Sequence, residues 1–223
     1  MIYKTKHGEL DFWDPYPSLN KFKKIGINLS GGADSALVMY MTCREIVKRN
    51  LDTTIVPITG VDEKRPTNIW NAREIVDLFK ELFPKVKFYE HQVNHHRAHE
   101  DRLRKEGIID VLFHGRSANP PEDVAKENNL LFKREERRDR HGHDRVPYHE
   151  NHGKPFYCPL EYLDKRFVAE MYKQFDLMNN LFPITASCVE YAEKTDYFSK
   201  PCKECWWCRE KKWAFGMYDG GVK

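Results

Sequence analysis

The fold is decided by the stretch Ile25-Gly26-Ile27-Asn28-Leu29-Ser30-Gly31-Gly32-Ala33-Asp34-Ser35. Its first five residues are mostly apolar and predict a short buried strand. After the glycines, apolar residues recur at helical spacing from Ala36 to Val47. The sequence therefore predicts a strand, a glycine turn and a helix in direct succession.

The turn at Ser30–Ser35 has the chemistry of an anion-binding site. The first turn of a helix carries N–H groups without an intrahelical partner and the positive end of the helix dipole. Gly31 and Gly32 let a phosphate approach the backbone closely, and Ser30 and Ser35 add hydroxyl donors. The stretch lacks both the Gly-x-x-x-x-Gly-Lys-Ser/Thr and the Gly-x-Gly-x-x-Gly patterns. The alternative is a glycine turn that merely joins the strand to the helix.

Strand and helix patterns alternate through the rest of the chain. β-Branched and apolar runs predict further strands at residues 53–59, 86–89 and 108–113. An apolar stripe from Ile69 to Phe79 predicts a helix, and another is predicted from Lys165 to Leu177 with Asp164 as its N-cap. This alternation predicts an α/β fold with a doubly wound parallel sheet.

Other segments set the expected domain organisation. Residues 1–20 show no clear periodicity and are expected to form an irregular arm. Residues 126–154 are rich in charge, histidine and glycine, which is typical of a disordered segment or a functional lid. We expect an α/β domain over residues 1–180 and a small zinc-binding subdomain over residues 181–223.

The composition limits the partners of the chain. Its 223 residues include 37 lysines and arginines against 34 aspartates and glutamates, which gives a formal net charge of +3. This balance makes no strong electrostatic case for a nucleic-acid partner. No apolar run approaches the roughly 18 residues of a membrane span, and residues 1–7 lack the apolar stretch of a signal peptide. We therefore expect a soluble cytoplasmic protein.

The C-terminal cysteines have the spacing of a metal site. They form a Cys-x13-Cys-x2-Cys-x2-Cys pattern at Cys188, Cys202, Cys205 and Cys208. Two-residue spacing lets successive thiolates point at one centre, and four thiolates with no open position are typical of structural zinc. Buried free thiols, a disulfide and an iron–sulfur cluster are the alternatives.

The Ser30–Ser35 loop resembles the Ser-Gly-Gly-x-Asp-Ser loop of the PP-loop family, the N-type ATP pyrophosphatases. These enzymes cleave ATP between the α- and β-phosphates. The resemblance implies a Rossmann-like fold of the adenine nucleotide alpha hydrolase type. It implies that phosphates and a shared Mg²⁺ are bound by Ser30, Gly31, Gly32, Asp34 and Ser35. It places adenine near the end of the second strand, around Ile58, Thr59 and Gly60. Gly115 falls where the family closes over the nucleotide.

The C-terminal half resembles one branch of that family, the 7-cyano-7-deazaguanine synthases. The matching features are Pro159-Leu160, Lys165, Thr185-Ala186-Ser187-Cys188 and Cys202-x-x-Cys205-x-x-Cys208. The resemblance implies an ATP-dependent ligase in which the carboxylate of 7-carboxy-7-deazaguanine attacks the α-phosphate of ATP. Ammonia then converts the acyl-adenylate to an amide, and a further ATP-driven dehydration gives the nitrile. It also implies a Zn²⁺ site and a homodimer.

Lys165 and Arg116 are candidate catalytic residues beside Asp34 and Ser35. Lys165 is expected to contact a phosphate or a carboxylate, and the alternative is an ordinary helix-surface lysine. Arg116 follows the fourth strand, and its planar guanidinium suits bidentate pairing with either group. The chain departs from the synthases at residues 114–121, where they usually carry an asparagine and acidic residues that help to hold the deazapurine.

Two other functions remain open from the sequence. The first is another PP-loop enzyme, either a tRNA thiolase or another amidoligase. A thiolase needs a catalytic cysteine, for which Cys158 and Cys43 are the candidates. The alternative is that both are buried structural thiols. A non-catalytic nucleotide-sensing zinc module would use Trp206, Trp207 and Trp213 to stack on bases. Such aromatics more often cover a small metal core.

Overall fold

The strand predicted before the glycine turn lies in the middle of a parallel sheet. The computed structural model describes residues 2–61, 67–94, 98–130, 147–151 and 154–221. Its strands are β1 (Ile2–Thr5), β2 (Gly8–Asp11), β3 (Lys24–Asn28), β4 (Thr54–Gly60), β5 (Lys87–Phe88), β6 (Gln92–Asn94), β7 (Val111–His114), β8 (Tyr148–Asn151) and β9 (Lys154–Tyr157). The main sheet has the order β5-β4-β3-β7-β9-β8, and β6 also pairs with β4.

All strand pairs of this sheet are parallel except that of β8 with β9. Because β5 and β6 pair with successive parts of the same edge of β4, they act as one interrupted strand. The parallel part of the sheet therefore has five strands, and β8 adds an antiparallel edge. The prediction of a mixed α/β fold with a parallel sheet is confirmed.

Helices cover the sheet on both faces. They are α1 (Ala33–Arg49), α2 (Asn68–Leu82), α3 (Ala98–Lys105), α4 (Glu122–Glu127), α5 (Lys165–Gln174) and α6 (Trp206–Phe215). On one face Ile25 and Ile27 of β3 share a hydrophobic cluster with residues of α1, α2 and α5. On the other face Leu103 of α3 packs with Val56 and Ile58 of β4.

The predicted helices are present, but α5 ends at Gln174 rather than near Leu177, and the start of the fourth strand was wrong. Asp164 caps α5 as predicted, since its side chain accepts a hydrogen bond from the N–H of Arg166. The fourth strand begins at Val111 rather than at Ile108. Ile108 and Ile109 belong to the turn after α3. Their apolar side chains pack with the cluster that contains Leu103, Val56 and Ile58.

The prediction of an irregular N-terminal arm was wrong. The strands β1 and β2 form an antiparallel hairpin, with Thr5 paired to Gly8 across its turn. Only Tyr3 of β1 and Leu10 of β2 are buried, so alternation was too short to be recognised in the sequence. The backbone of Gly8 has a φ of +140°, a conformation that requires glycine.

The segment predicted as a lid lies mostly outside the described residues. Residues 131–146 and 152–153 of this segment lie outside the described residues. The strands β8 and β9, by contrast, add to the sheet within or next to the segment, and the sequence did not predict them. The proposed division between residues 180 and 181 stays a prediction. Among the described residues, no helix combines the length and the apolar character that crossing a membrane requires.

Candidate functional site

The Ser30–Ser35 loop connects the carboxyl end of β3 to the first turn of α1. Gly31 has a φ of +78°, and a side chain there would come within 2.8 Å of the Asn68 carbonyl oxygen. The N–H of Ser30 donates to the Ser35 hydroxyl at 3.2 Å, and that hydroxyl donates to the Gly32 carbonyl at 3.1 Å. These bonds fix the loop around the N-terminus of α1, which suits it to bind an anion.

Gly115, at the end of β7, packs against the same helix terminus. A Cβ atom on Gly115 would lie 2.4 Å from both the N and the Cα of Ser35. Only glycine permits this approach, because the atoms in the way belong to backbone. The structure therefore brings Gly115 to the loop through close packing of β7 on α1.

Beside the loop, buried Lys165 forms an ion pair with the partly exposed Asp34. The Lys165 ammonium donates to Asp34 Oδ2 at 2.5 Å and lies 3.8 Å from Glu210 Oε2. Lys165 is only 5% exposed, so its interpretation as a helix-surface lysine is wrong. The second carboxylate oxygen, Asp34 Oδ1, is buried without a hydrogen-bond partner among the described residues. A carboxylate oxygen of this kind fits a hard cation such as Mg²⁺.

The Arg116 guanidinium forms an ion pair with the carboxylate of Glu161. Its Nε and Nη2 atoms donate to Glu161 Oε2 at 3.0 and 2.6 Å. Glu161 is 4% exposed whereas the Arg116 side chain is 28% exposed, so the pair is partly buried. The hydroxyl of Ser117, one residue further on, donates to Asp34 at 3.3 Å. The segment after β7 therefore reaches the site through Gly115 and Ser117.

The carboxyl end of β4 lies next to the loop. Ile58 and Thr59 are buried, and Gly60 alone of the three predicted adenine neighbours is exposed. The Thr59 hydroxyl donates to the Leu29 carbonyl at 2.7 Å and lies 2.8 Å from His91 Nε2. Burial, with a smaller effect of nearby cations, lowers the pKa of His91 to about 4. The ring is therefore neutral near pH 7, and no sequence pattern singled it out.

The C-terminal cysteines form a candidate metal centre. The sulfur atoms of Cys188, Cys202, Cys205 and Cys208 all lie within 4.8 Å of one another. Those of Cys202 and Cys208 are 3.8 Å apart, which matches the spacing of about 3.8 Å that tetrahedral Zn–S bonds of about 2.3 Å produce. All six cysteines are free, so the disulfide alternative was wrong. The cluster could hold a metal ion and is compatible with zinc.

The proton chemistry of the cluster agrees with metal binding. Hydrogen bonds from the thiols of Cys205 and Cys208 lower the pKa of Cys188. The same bond with Cys188 raises the pKa of Cys205 to about 12. Backbone N–H groups also point at sulfur, as Cys205 N does at Cys202 Sγ over 3.3 Å. The pKa shifts thus favour the thiolate of Cys188 and disfavour the thiolates of Cys205 and Cys208, a conflict that a bound divalent cation removes.

A buried lysine and a carboxylate hold the segment that carries the first cysteine. Lys211 is fully buried and donates to Asp219 Oδ1 at 2.6 Å and to the Thr185 carbonyl at 2.9 Å. The other oxygen of Asp219 accepts the N–H groups of Ser187 and Cys188 at 2.7 and 2.8 Å. Asp219 therefore supports the backbone of Cys188, a candidate metal ligand, and the sequence did not indicate this role.

The same segment contacts the Ser30–Ser35 loop. The N–H of Ala186 donates to the Gly31 carbonyl at 2.9 Å. On the other side, the Asn71 side chain donates to the Ile184 carbonyl at 3.0 Å. Residues 184–188 therefore connect the cysteine cluster, the loop and α2 through backbone groups.

Comparison with known proteins adds no relative to this description. Neither the models of known protein families nor the curated proteins match the chain. The candidate site therefore stands on its own geometry: a glycine loop at a helix N-terminus, a carboxylate with one free oxygen, and a cysteine cluster attached to the loop by residues 184–188.

Proposed function

We propose that the protein is an ATP-dependent ligase of the PP-loop type. In this proposal Ser30–Ser35 binds the pyrophosphate part of ATP while a carboxylate attacks the α-phosphate. The observation that carries it is Asp34, whose one oxygen is held by buried Lys165 and whose other oxygen is free beside the helix N-terminus.

The strand order supports this proposal. Numbered along the chain, the parallel strands follow the order third, second, first, fourth, fifth across the sheet. This order is typical of doubly wound, Rossmann-like sheets, whose ligands bind outside the carboxyl ends of the strands where the winding reverses. Here the reversal lies between β3 and β7, and the Ser30–Ser35 loop and Gly115 follow those two strands. The proposal therefore includes an adenine nucleotide alpha hydrolase-like fold.

Each loop residue has a definite task in this scheme. The N–H groups of the first α1 turn and the hydroxyls of Ser30 and Ser35 bind phosphate oxygens. Asp34 Oδ1 would hold Mg²⁺, which supplies charge neutralisation to the phosphates when bound. Lys165 fixes the Asp34 carboxylate and balances its charge. Catalysis of this type depends on positioning and on stabilising charge in the transition state.

The acceptor is proposed from the C-terminal half of the chain. The segment Thr185–Cys188, on which the resemblance to the deazaguanine synthases rests, lies directly against Gly31. We therefore assign 7-carboxy-7-deazaguanine as the acid and ammonia as the nucleophile, with an amide or nitrile product. Four cysteine ligands leave no open coordination position, so zinc would act as a structural ion that holds this segment.

The observations favour this ligase over the two other functions. Cys43 and Cys158 are both buried, and burial raises the pKa of each thiol, which disfavours the thiolate that a thiolase needs. The Cys158 thiol also donates to the Arg116 carbonyl at 3.3 Å. Trp206 is 5% exposed and donates to the Leu130 carbonyl at 2.8 Å, so its ring is not available to stack on a base.

The proposal is tested by incubation of the protein with Mg-ATP, ammonium and 7-carboxy-7-deazaguanine. Mass spectrometry should detect the amide or the nitrile, and Ser35→Ala should abolish most of its formation. Ser18→Ala removes a hydroxyl from the 3₁₀ helix Pro17–Lys21 rather than from the loop, and as the control it should keep full activity. If neither the amide nor the nitrile forms from this acid, the substrate assignment is wrong. If Ser35→Ala keeps full activity, the assignment of Ser30–Ser35 to phosphate binding is wrong.

A further inference from the structure

A cleft of about 460 Å³ opens between α2 and the segment that leads to the metal centre. Its wall on α2 includes Trp70 and Glu74, and its opposite wall includes Ala186 and Tyr197. This volume falls in the range of small-molecule sites, which is about 300–1,000 Å³. The cleft is therefore large enough for a ligand of one or two rings.

The cleft adjoins the phosphate loop. Ala186 is part of its wall, and the N–H of Ala186 donates to the Gly31 carbonyl. Asn71, another wall residue, packs so closely on Gly31 that a side chain there would come within 3.0 Å of the Asn71 Cβ. A ligand in the cleft would thus lie next to the residues that we propose for the pyrophosphate of ATP.

The α2 wall presents a flat ring and an acceptor side by side. Trp70 is 62% exposed, which is unusual for so large an apolar side chain. Glu74 follows one helical turn later, so both side chains leave the same face of α2. Glu74 makes no hydrogen bond or ion pair with another described residue. An indole face beside a carboxylate suits a planar heterocycle that has N–H donors on one edge.

The opposite wall contains an unusual backbone conformation. Asp196, Tyr197 and Phe198 have consecutive φ values of +49°, +52° and +67°. Residues with side chains rarely adopt this left-handed region, and strained segments of this kind concentrate at ligand sites. The hydroxyl of Thr195 accepts the N–H of Phe198 at 3.1 Å and supports the turn. Tyr197, within this turn, is 82% exposed and lines the cleft.

We propose that this cleft binds the acid that ATP activates, a planar nitrogen heterocycle that carries a carboxylate. The ring stacks on Trp70, its N–H edge donates to Glu74, and its carboxylate points to the Ser30–Ser35 loop. Tyr197 covers the ring from the other wall. The inference rests on the proposed ligase function, because only that function requires an acid next to the phosphate loop.

The test uses 7-carboxy-7-deazaguanine as the probe and isothermal titration calorimetry without ATP. We expect Trp70→Ala and Glu74→Gln each to weaken binding of the acid by about tenfold, as loss of a stacking or charged contact does. Asp77→Asn is the matched control, because Asp77 is an exposed carboxylate one turn further along α2 and does not line the cleft. Affinity for α,β-methylene-ATP should change less than about twofold in all three variants.

Each outcome decides between the two proposals. Unchanged acid affinity in both cleft variants, or no binding of the acid to the unmodified protein, overturns the cleft. A loss of ATP-analogue affinity equal to the loss of acid affinity also overturns it, because the cleft would then hold the nucleotide. The expected binding pattern without AMP formation from ATP supports the cleft and contradicts the ligase. AMP formation together with an unchanged KM for the acid in Trp70→Ala supports the ligase and contradicts the cleft.

Discussion

Lys165 is a charge whose burial depends on its partner. The ammonium is 6% exposed and the Asp34 carboxylate 19% exposed, so neither is fully hydrated. We expect Lys165→Met to leave Asp34 without its counter-charge and to lower the free energy of unfolding by about 3–5 kcal/mol, the usual cost of breaking a buried pair. Urea denaturation measures this loss.

A second lysine of α5 provides the control. Lys173 pairs with Glu170 at 2.9 Å, but its side chain is 53% exposed. Exposed pairs contribute less than about 1 kcal/mol, so Lys173→Met should have little effect. The double variant Asp34→Asn with Lys165→Met should recover part of the loss. If Lys165→Met and Lys173→Met lowered the free energy of unfolding equally, this would contradict a buried Lys165 that depends on its partner.

Gly115 and Gly60 make a matched pair of glycines at the same sheet edge. A Cβ on Gly115 would lie 2.4 Å from backbone atoms of Ser35, whereas one on Gly60 would meet nothing within 4 Å. We expect Gly115→Ala to cost about 1–3 kcal/mol through overpacking and Gly60→Ala to be nearly neutral. Thermal unfolding of both variants gives the comparison. Equal melting temperatures would show that β7 does not pack on α1 as described.

His91 predicts a pH dependence of stability. Its folded pKa of about 4 lies below its ordinary value of 6.5. Between these values the unfolded chain binds a proton that the folded protein excludes, so stability falls as the pH falls from about 6.5 towards about 4. His91→Gln removes this titration and should make the decline less steep. Urea unfolding at pH 7 and pH 5 tests this, and the same decline in both proteins would count against a buried neutral ring.

At the scale of elements, the candidate metal centre depends on the carboxylate that holds its first cysteine. Asp219 accepts the N–H groups of Ser187 and Cys188 while Lys211 neutralises it. We expect one zinc ion per chain, and Asp219→Asn should weaken zinc affinity by about 10–100-fold, as loss of an outer-shell partner does. Competition with a chromophoric chelator measures the affinity.

The control for this prediction lies between the metal ligands in the sequence. Asp196 pairs with Lys200 at 3.2 Å and is 63% exposed. Asp196→Asn should therefore bind zinc like the unmodified protein. If Asp219→Asn also bound zinc normally, or if the chain held no metal, the cluster would be a set of structural thiols. Circular dichroism of each variant confirms that the chain is folded.

Elements with a long apolar pattern could be predicted from the sequence. α1 and α2 each bury a full stripe of side chains, and β4 buries five consecutive residues. By contrast, β1 buries only one side chain, and β6 has no buried residue. Such short strands are formed by backbone pairing with a neighbour, and a local sequence pattern contains no information on that neighbour.

At the scale of the whole molecule, the predicted site residues are brought together by contacts between distant segments. Lys165 and Asp34 are 131 residues apart, and Arg116 and Glu161 are 45 residues apart. The motifs identified Asp34 and the cysteines because local spacing carries their chemistry. The motifs could not show that Arg116 pairs with Glu161 or that Asp219 accepts the N–H of Cys188, since those partners depend on tertiary packing.

The position of ATP cleavage tests the central claim most directly. In the proposed function, Ser30–Ser35 binds the pyrophosphate of ATP and Asp34 binds its cation. Phosphorus NMR of the protein with Mg-ATP, ammonium and 7-carboxy-7-deazaguanine distinguishes the products. We predict AMP and pyrophosphate in equal amounts, and neither from Asp34→Ala. Formation of ADP and phosphate instead would contradict an adenylate-forming site at this loop.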